Sequence, residues 1–572
     1  MNAIIVLILA ALGIAVGYGI YARNIDKNIV QPSSDKATPA KMYMDGVDFT
    51  PASRNVLFGY QFKSVAALAP LTGPVIAVQW GWLPALLWIL LGVFFIGWAQ
   101  DYGAMIMGVR REGDTMGALS YKLISPRARN ILLIFIYFYL LLIMGAFGNA
   151  VGKTLMTNPK VPFGIIAVVL AGILAGQLTY RWKKDIALTS VITVVLAFVG
   201  IWISTLPFMA NIFTAIYGLP DSPVIFLGNT QAQIIATLLM VAFCYLGAVL
   251  AIWSFAQPVN YVSFWIVSLG MLGAILGILI WHPGMGDFPV FTQFTTASGP
   301  LWPILFVTIA CGAISGWHSL VSTSGTARQL EKETDALPVG GGAMFMESVF
   351  AIVAFLAATV AWGSFQGYMD AGGPSKALAV FSGGFAKFLS QIGIPETFGA
   401  AYAAVFLTIM AITIMQLVVR FMRVASAEMV GDAVPLMKNV HVGTIVALLL
   451  TLLFVWIIPW LTIWTAFGAS NQLMAGLALL LISLWLMSEG RRHSWALYPA
   501  VFMIVTTLAA LLWVAYTSLL VNLPKAATPQ AFIASLIIGI ICLVLVVAAV
   551  ILIVDGWRAI QRSREVRPAK AA

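Results

Sequence analysis

Fifteen apolar runs, each about twenty residues long, follow one another along the chain, and no other feature constrains its fold so tightly. A hydrocarbon layer about 30 Å thick is crossed by about 20 helical residues. Inside that layer every backbone N–H and C=O has to find its partner within the protein. The runs lie near 1–22, 57–79, 83–109, 130–152, 162–180, 186–207, 230–255, 259–281, 303–326, 340–364, 396–421, 441–459, 462–487, 494–519 and 531–555. With 61% hydrophobic and 9% charged residues, the 572-residue chain has too little polar surface for a soluble protein of this length. The expected fold is therefore all-α and polytopic, with about 15 transmembrane helices. The run Met1 to Tyr21 has no basic residue before it and no small-residue cleavage site after it. It reads as a retained span rather than a signal peptide, and the polar stretch Ala22 to Asn55 reads as a connector.

Positive charge orders these spans. If each run crosses once, one face receives 25 of the 31 Lys and Arg residues and the other receives five, Lys153, Lys160, Lys376, Lys387 and Lys525. The remaining one, Lys63, lies within a span. The positive-inside rule then puts the N-terminus outside and the C-terminus in the cytoplasm of a plasma membrane, the inner membrane of a prokaryote. The net charge of +10 follows from topology and asks for no nucleic-acid partner. The basic tail from Trp557 onward reads as an anchor on anionic lipid of the bilayer, with a regulatory role as the alternative. Segment 374–393 is too short and too interrupted to span, and reads as an outer-face helix or a re-entrant piece.

Two of the runs carry helix-breaking chemistry near their middle. Ser64–Trp82 contains Ala69–Pro–Leu–Thr–Gly–Pro74, and Thr308–Thr326 contains Gly312–Ala–Ile–Ser–Gly–Trp–His–Ser319. Unwound backbone at membrane depth is tolerated only where protein or a watery cavity pairs it. Two such breaks in corresponding halves point to a substrate site in a secondary transporter. The span count gives the two segments opposite orientations, the layout of an inverted five-plus-five repeat. Residues 1–56 form the first span and connector, 57–207 repeat one, 208–302 an inserted helix pair, 303–487 repeat two, and 488–572 two closing spans and the tail.

Polar groups at the breaks are the candidate site. On the first segment these are Ala69, Pro70, Thr72 and Gly73. On the second they are Gly312, Ser315, Gly316, Trp317, His318 and Ser319. A half-helix end there suits an anionic group. His318 is either a proton-exchanging group or a histidine packed on a neighbouring carbonyl. Ser319, Ser322, Thr323 and Ser324 either line a vestibule or return hydrogen bonds to their own helix. Trp80 and Trp317 are candidate gates. Three more ionisable groups lie within spans: Lys63, Asp101 and Glu347. Asp101 reads as a proton carrier or as a partner for Arg110 or a helix end, and Glu347 as a structural polar residue. Asn471 and Gln472 are uncharged and suited to bonding between helices. Cys244, Cys311 and Cys542 lie in apolar runs without metal-binding spacing and read as small core residues. The chain carries no HExxH, GxSxG, Walker or dinucleotide fingerprint, so neither an enzyme nor a cofactor is expected.

Several stretches together resemble the carbon starvation protein A (CstA) family of inner-membrane transporters. They are Asp45–Gly–Val–Asp48 with Arg54 and Val56–Leu–Phe–Gly59, then Ala69–Pro70 and Gly73–Pro74, Gln100–Asp101 with Arg110–Arg111, Ala310–Cys–Gly–Ala–Ile–Ser–Gly–Trp–His–Ser–Leu320, and Phe467–Gly–Ala–Ser–Asn–Gln472. The resemblance runs in collinear order from about residue 40 to 490. It implies a core of the LeuT type, akin to the APC superfamily, with two interrupted helices. It also implies uptake of peptides, or of a small carboxylate such as pyruvate, during nutrient starvation, driven by protons or by sodium. The implied function is a proton-coupled symporter; a channel or a sensor-type receptor that binds nutrient without ion coupling is the alternative. The chain departs from the family's pattern where Tyr60 and Gln61 stand for a histidine pair, Lys63 for a small residue, and Gln416 for an aspartate. In LeuT-type folds the corresponding helices hold a sodium ion. The resemblance thus suggests that the Lys63 ammonium replaces a cation near Thr413 and Gln416, or else snorkels to the inner interface.

Overall fold

Apolar helices form because a backbone in lipid has no other way to pair its own polar groups. A computed structural model describes residues 1–46, 48–218, 223–252 and 254–565, with side chains up to residue 561. The end of the basic tail and Val47 of the Asp45–Asp48 motif lie outside the described residues. Among the described residues, 13 helices are long and apolar enough to cross a membrane, from Ala3–Val30 to Pro529–Gln561. The pair Arg54–Val65 and Ala69–Trp80, bent by 49°, makes a further crossing if counted as one span. The remaining expected span is the second broken segment. There the pieces Leu301–Leu305 and Phe306–Thr308 end at an irregular stretch, 309–315, and helix resumes over Gly316–Ser324. Two ribbons of two short strands each, at Val224–Thr230 and Thr295–Pro300, are the only sheet among the described residues.

The elements differ from the sequence reading in three places. The first helix continues to Val30, so part of the expected connector is helical. The first break falls at 66–68 rather than at 69–74. Pro70 sits in the first turn of the helix Ala69–Ala77, where a missing N–H costs nothing and the fixed φ suits the helix. Segment 374–393 contains the helix Ala377–Ser390, 14 residues long and too short to cross. It lies along Glu396–Val430, with the Phe385 ring 5.5 Å from that of Phe406.

Burial grades from rim to centre. The 18 most apolar residues of the first helix are 22% buried and those of Ile186–Ser204 are 28% buried, leaving Ile8, Leu12, Val191 and Val195 facing outward. The corresponding windows of Glu396–Val430 and Trp460–Ser488 are 94% and 100% buried. Around those two central helices the broken segments meet each other. Gly73 lies so close to the second break that a Cβ there would sit 2.6 Å from the Thr308 carbonyl oxygen and 2.9 Å from Ile309 Cα. Only glycine permits that approach.

Several basic residues of the expected basic face are held by acids or carbonyls. Arg110 donates to Glu333 Oε1 at 2.6 Å and to the Val30 carbonyl at 2.9 Å, and Glu489 lies 3.7 Å away. Arg423 donates to Ala248 O and Arg129 to Glu428. At the opposite end Lys153 and Gln530 both donate to the Trp456 carbonyl, and Ala3 N donates to Pro283 O.

Candidate functional site

The seven residues of the second break lose their helical partners, and side chains of the enclosing helices replace them. Gln472 Nε2 donates to the carbonyls of Phe306 and Ile309, both at 2.9 Å. Trp464 Nε1 donates to Thr308 O at 3.2 Å, and Asn471 Nδ2 to Ala310 O at 2.5 Å. Asn471 Oδ1 accepts from Tyr139 Oη, Ser315 Oγ and Trp317 N. On the other side, the Gln100 amide donates to Ser315 O and to Asp101 Oδ1, both at 2.9 Å, and accepts from Ser319 N. The Phe467–Gln472 motif therefore acts as an external partner for an unwound backbone, at a depth where water is unavailable.

This scaffold places His318 in the first turn of the helix Gly316–Ser324, between two acids. Its Nδ1 lies 2.8 Å from Asp101 Oδ2, and its Nε2 lies 3.1 Å from Glu347 Oε2. All three side chains are 0% exposed. They come from three elements: Trp98–Arg110, the resumed half of the broken segment, and Gly342–Thr359. Asp101 does not pair with Arg110. Arg110 is taken by Glu333 at the basic face, and Asp101 meets His318 instead. His318 is not packed on a carbonyl in the way of an ordinary core histidine. Glu347, read as a structural polar residue, has no hydrogen-bonding partner and faces His318, with Cys311 beside it.

Three fully buried ionisable groups within hydrogen-bonding reach must share protons. With His318 charged and both acids ionised, the cluster carries one net negative charge in a medium where such a charge is costly. One further proton makes it neutral. A cluster so built can take up and release protons only as the surrounding helices open a path to it.

The other polar groups of the second break bond locally. Ser319 Oγ donates to Gly316 O at 2.7 Å and Thr323 Oγ1 to Ser319 O at 2.7 Å, hydrogen bonds back to their own helix. Gly316 lets the Asn471 carbonyl come close, since a Cβ there would sit 2.3 Å from that oxygen. Gly312 packs on Ala351. Trp317 is buried, donates from Nε1 to Ser64 O at 2.8 Å, and stands edge-on to Phe421. It bridges the two broken segments. Trp80 is also buried and donates to Gly299 O at 3.3 Å.

The first break is chemically quieter. Ala69, Pro70, Thr72 and Gly73 are buried, and the Thr72 hydroxyl returns a bond to Leu68 O at 3.2 Å. Lys63 is 2% exposed, and its Nζ donates to Thr413 Oγ1 at 2.8 Å. It does not snorkel. It joins the inner half of the first segment to the central helix Glu396–Val430, and it lines a cavity of about 390 Å³ with Tyr60, Asn260 and Phe264. Gln416 is not part of this contact: its amide packs on Gly247 and has no hydrogen-bonding partner. Gln61 ties the segments together, donating to Ser322 Oγ at 3.0 Å and accepting from Thr326 Oγ1 at 2.5 Å.

Sequence reasoning missed the roles of Gln100, Tyr139 and Cys311. Tyr139 carries no signal beyond being polar within a span, and Gln100, though part of the Gln100–Asp101 motif, gives no sign of the backbone it meets. Cys311 follows Ala310 in the break, and its burial beside His318 and Glu347 is set by the fold alone.

Comparison with known proteins gives the chain's family. The family model described as carbon starvation protein CstA matches residues 2–372 and 365–510. The peptide transporter CstA of Escherichia coli (strain K12) is 28% identical, over 89% of this chain and 81% of its own length. The pyruvate/proton symporter BtsT of the same organism is 31% identical, over 60% of this chain and 47% of its own. Among solved structures, MhsT in complex with L-phenylalanine is 13% identical, over 86% of this chain and 99% of that one, with a TM-score of 0.48. On the match to the family model, the chain belongs to the carbon starvation protein CstA family.

Proposed function

We propose that this protein is a proton-coupled secondary transporter of small carboxylates, held in the plasma membrane with its N-terminus outside and its basic face in the cytoplasm. The observation that carries this reading is the buried Asp101–His318–Glu347 cluster on the second break. Coupling follows from Coulomb's law. An anionic substrate approaching the break meets a cluster that is negative when it lacks a proton and neutral when it holds one. Two unit charges about 4 Å apart interact by about 4 kcal/mol at an effective dielectric constant near 20. Substrate and proton therefore bind as a pair, and each raises the other's affinity by the same factor. The substrate carboxylate would sit between Thr72–Gly73 and Gly312–Ser319, under Trp317, at the positive end of the resumed helix's dipole.

The relatives' names offer two substrate classes, peptides and pyruvate. The tight approach of the two breaks favours the smaller. A peptide would also need an acid for its amine, and both acids here face His318. Lys63 serves as a fixed cation at the inner end, its ammonium holding the first broken helix to Thr413 in the way a bound ion would. In this reading the five-plus-five repeat moves as two halves about the breaks.

Counterflow and uptake in liposomes test it, with labelled pyruvate and with labelled di- and tripeptides, each with and without an inward proton gradient. Pyruvate accumulation that rises at least tenfold with the gradient is expected. Uptake indifferent to the gradient, or confined to peptides, overturns the reading.

A further inference from the structure

One set of atoms beside the proton cluster is arranged for something other than hydrogen bonding. Cys311 Sγ, His318 Nε2 and a Glu347 carboxylate oxygen lie within 4.8 Å of one another, and all three residues are buried. The Nε2–Oε2 separation is 3.1 Å, yet the two atoms are not aligned as donor and acceptor. His318 Nε2 and both Glu347 oxygens lack a hydrogen-bonding partner. When His318 is neutral with its proton on Nδ1 toward Asp101, Nε2 turns a lone pair on the Glu347 carboxylate, and a cation between them removes that repulsion. Ligand atoms about a tetrahedral zinc ion, at about 2.0–2.3 Å from the metal, lie roughly 3.3–3.6 Å from one another. The observed spacing needs about 1 Å of side-chain movement to reach that geometry.

The surroundings complete the pattern. Asp101 holds His318 Nδ1 at 2.8 Å and leaves Nε2 as the ligating nitrogen, the carboxylate–histidine arrangement found behind metal ligands. Asn471 Nδ2 donates toward Cys311 Sγ at 3.7 Å, and the Cys311 thiol donates to Ser315 Oγ at 3.2 Å, so on loss of its proton the sulfur keeps one donor beside it. A thiolate and a carboxylate neutralise a divalent charge, and a sulfur, nitrogen and oxygen donor set favours zinc-class ions over magnesium or calcium.

From this geometry we propose that Cys311, His318 and Glu347 form a binding site for one zinc-class divalent cation, with its fourth position left to water or a solute oxygen. The titratable groups facing it are Asp101 on one side and Tyr139, through Asn471, on the other. A consequence rests on the coupling reading above: the cation takes the places that protons use, so it arrests the carrier in competition with them.

Cobalt(II) makes the site visible, because tetrahedral coordination gives intense visible bands and a thiolate adds a near-ultraviolet charge-transfer band. The purified full-length chain in detergent, dialysed overnight against stoichiometric Co²⁺, is expected to bind one ion with both features. Cys311→Ser loses the charge-transfer band while Cys244→Ser keeps it, and Glu347→Gln weakens binding at least tenfold but keeps the thiolate band. Matching thermal unfolding curves establish that the variants fold. Absence of tetrahedral bands, or a thiolate band unaffected by Cys311→Ser, overturns the site. In liposomes, Zn²⁺ inhibition of uptake should weaken at least tenfold in Cys311→Ser. If the cobalt signature holds while uptake ignores the proton gradient, the metal site stands and the coupling reading falls.

Discussion

The two broken helices occupy corresponding places in the chain and are built to different specifications. The first interrupts its helix for three residues, 66–68, and offers the site only a threonine, a glycine and apolar groups. The second interrupts for seven, 309–315, and needs Trp464, Asn471, Gln472 and Gln100 to pair what it frees. One break is short, and its nearest buried charge, Lys63, lies within a turn of it on the preceding helix. The other is a long opening held from outside, with a histidine and two acids at its mouth. Under the proposed function this is a division of labour: the first break shapes and moves, and the second carries protons.

Substitutions probe that division from the strongest effect to the weakest. His318→Ala should abolish gradient-driven uptake, by at least about 100-fold, the loss expected when a positioned proton-transfer group is removed. Near-normal gradient dependence in that variant would move coupling to the first break. Asn471→Ala orphans a carbonyl, a hydroxyl and an amide N–H at the second break, each worth about 1–3 kcal/mol when buried. It should lower the thermal unfolding midpoint in detergent by several degrees, whereas Thr72→Val at the first break should leave it within about a degree because that hydroxyl serves only its own helix. Gly73→Ala drives a methyl into the Thr308 carbonyl, at a cost of about 1–3 kcal/mol for overpacking. Uptake should fall more than stability, since the contact lies between the moving halves. Lys63→Gln is the mildest: pyruvate counterflow should persist within about threefold, because the variant loses a single hydrogen bond to Thr413, worth about 1 kcal/mol. Loss of the pH dependence of uptake in that variant would break the comparison and give the first segment a proton.

Much of this was legible in the chain. Apolar run length gave the spans, because lipid thickness leaves helices little freedom of length. The Gly–Ser–Gly stretch announced the second break for the reason it exists there. Pro70 misled, since proline ends a helix when it is interior and starts one in the first turn, and sequence alone does not say which turn it occupies. The cluster was half visible. Asp101, His318 and Glu347 each stood out as buried ionisable groups, but 217 residues separate Asp101 from His318 in the chain. Periodicity reports which face of a helix is polar, not which distant polar face it meets. The partner roles of Gln100 and Tyr139 depend on that same long-range meeting.

The Gln61 contact with Ser322 and Thr326 bears on speed. It fastens the basic-face ends of both broken helices to each other through two hydrogen bonds. These ends can separate only after the fastening lets go, and two bonds of about 1 kcal/mol each slow that step by roughly a factor of thirty. Where the family carries histidine, acid could loosen such a catch. An amide has no proton to gain, so in the proposed carrier this end should open at a rate set by temperature and indifferent to the acidity of the solution it faces.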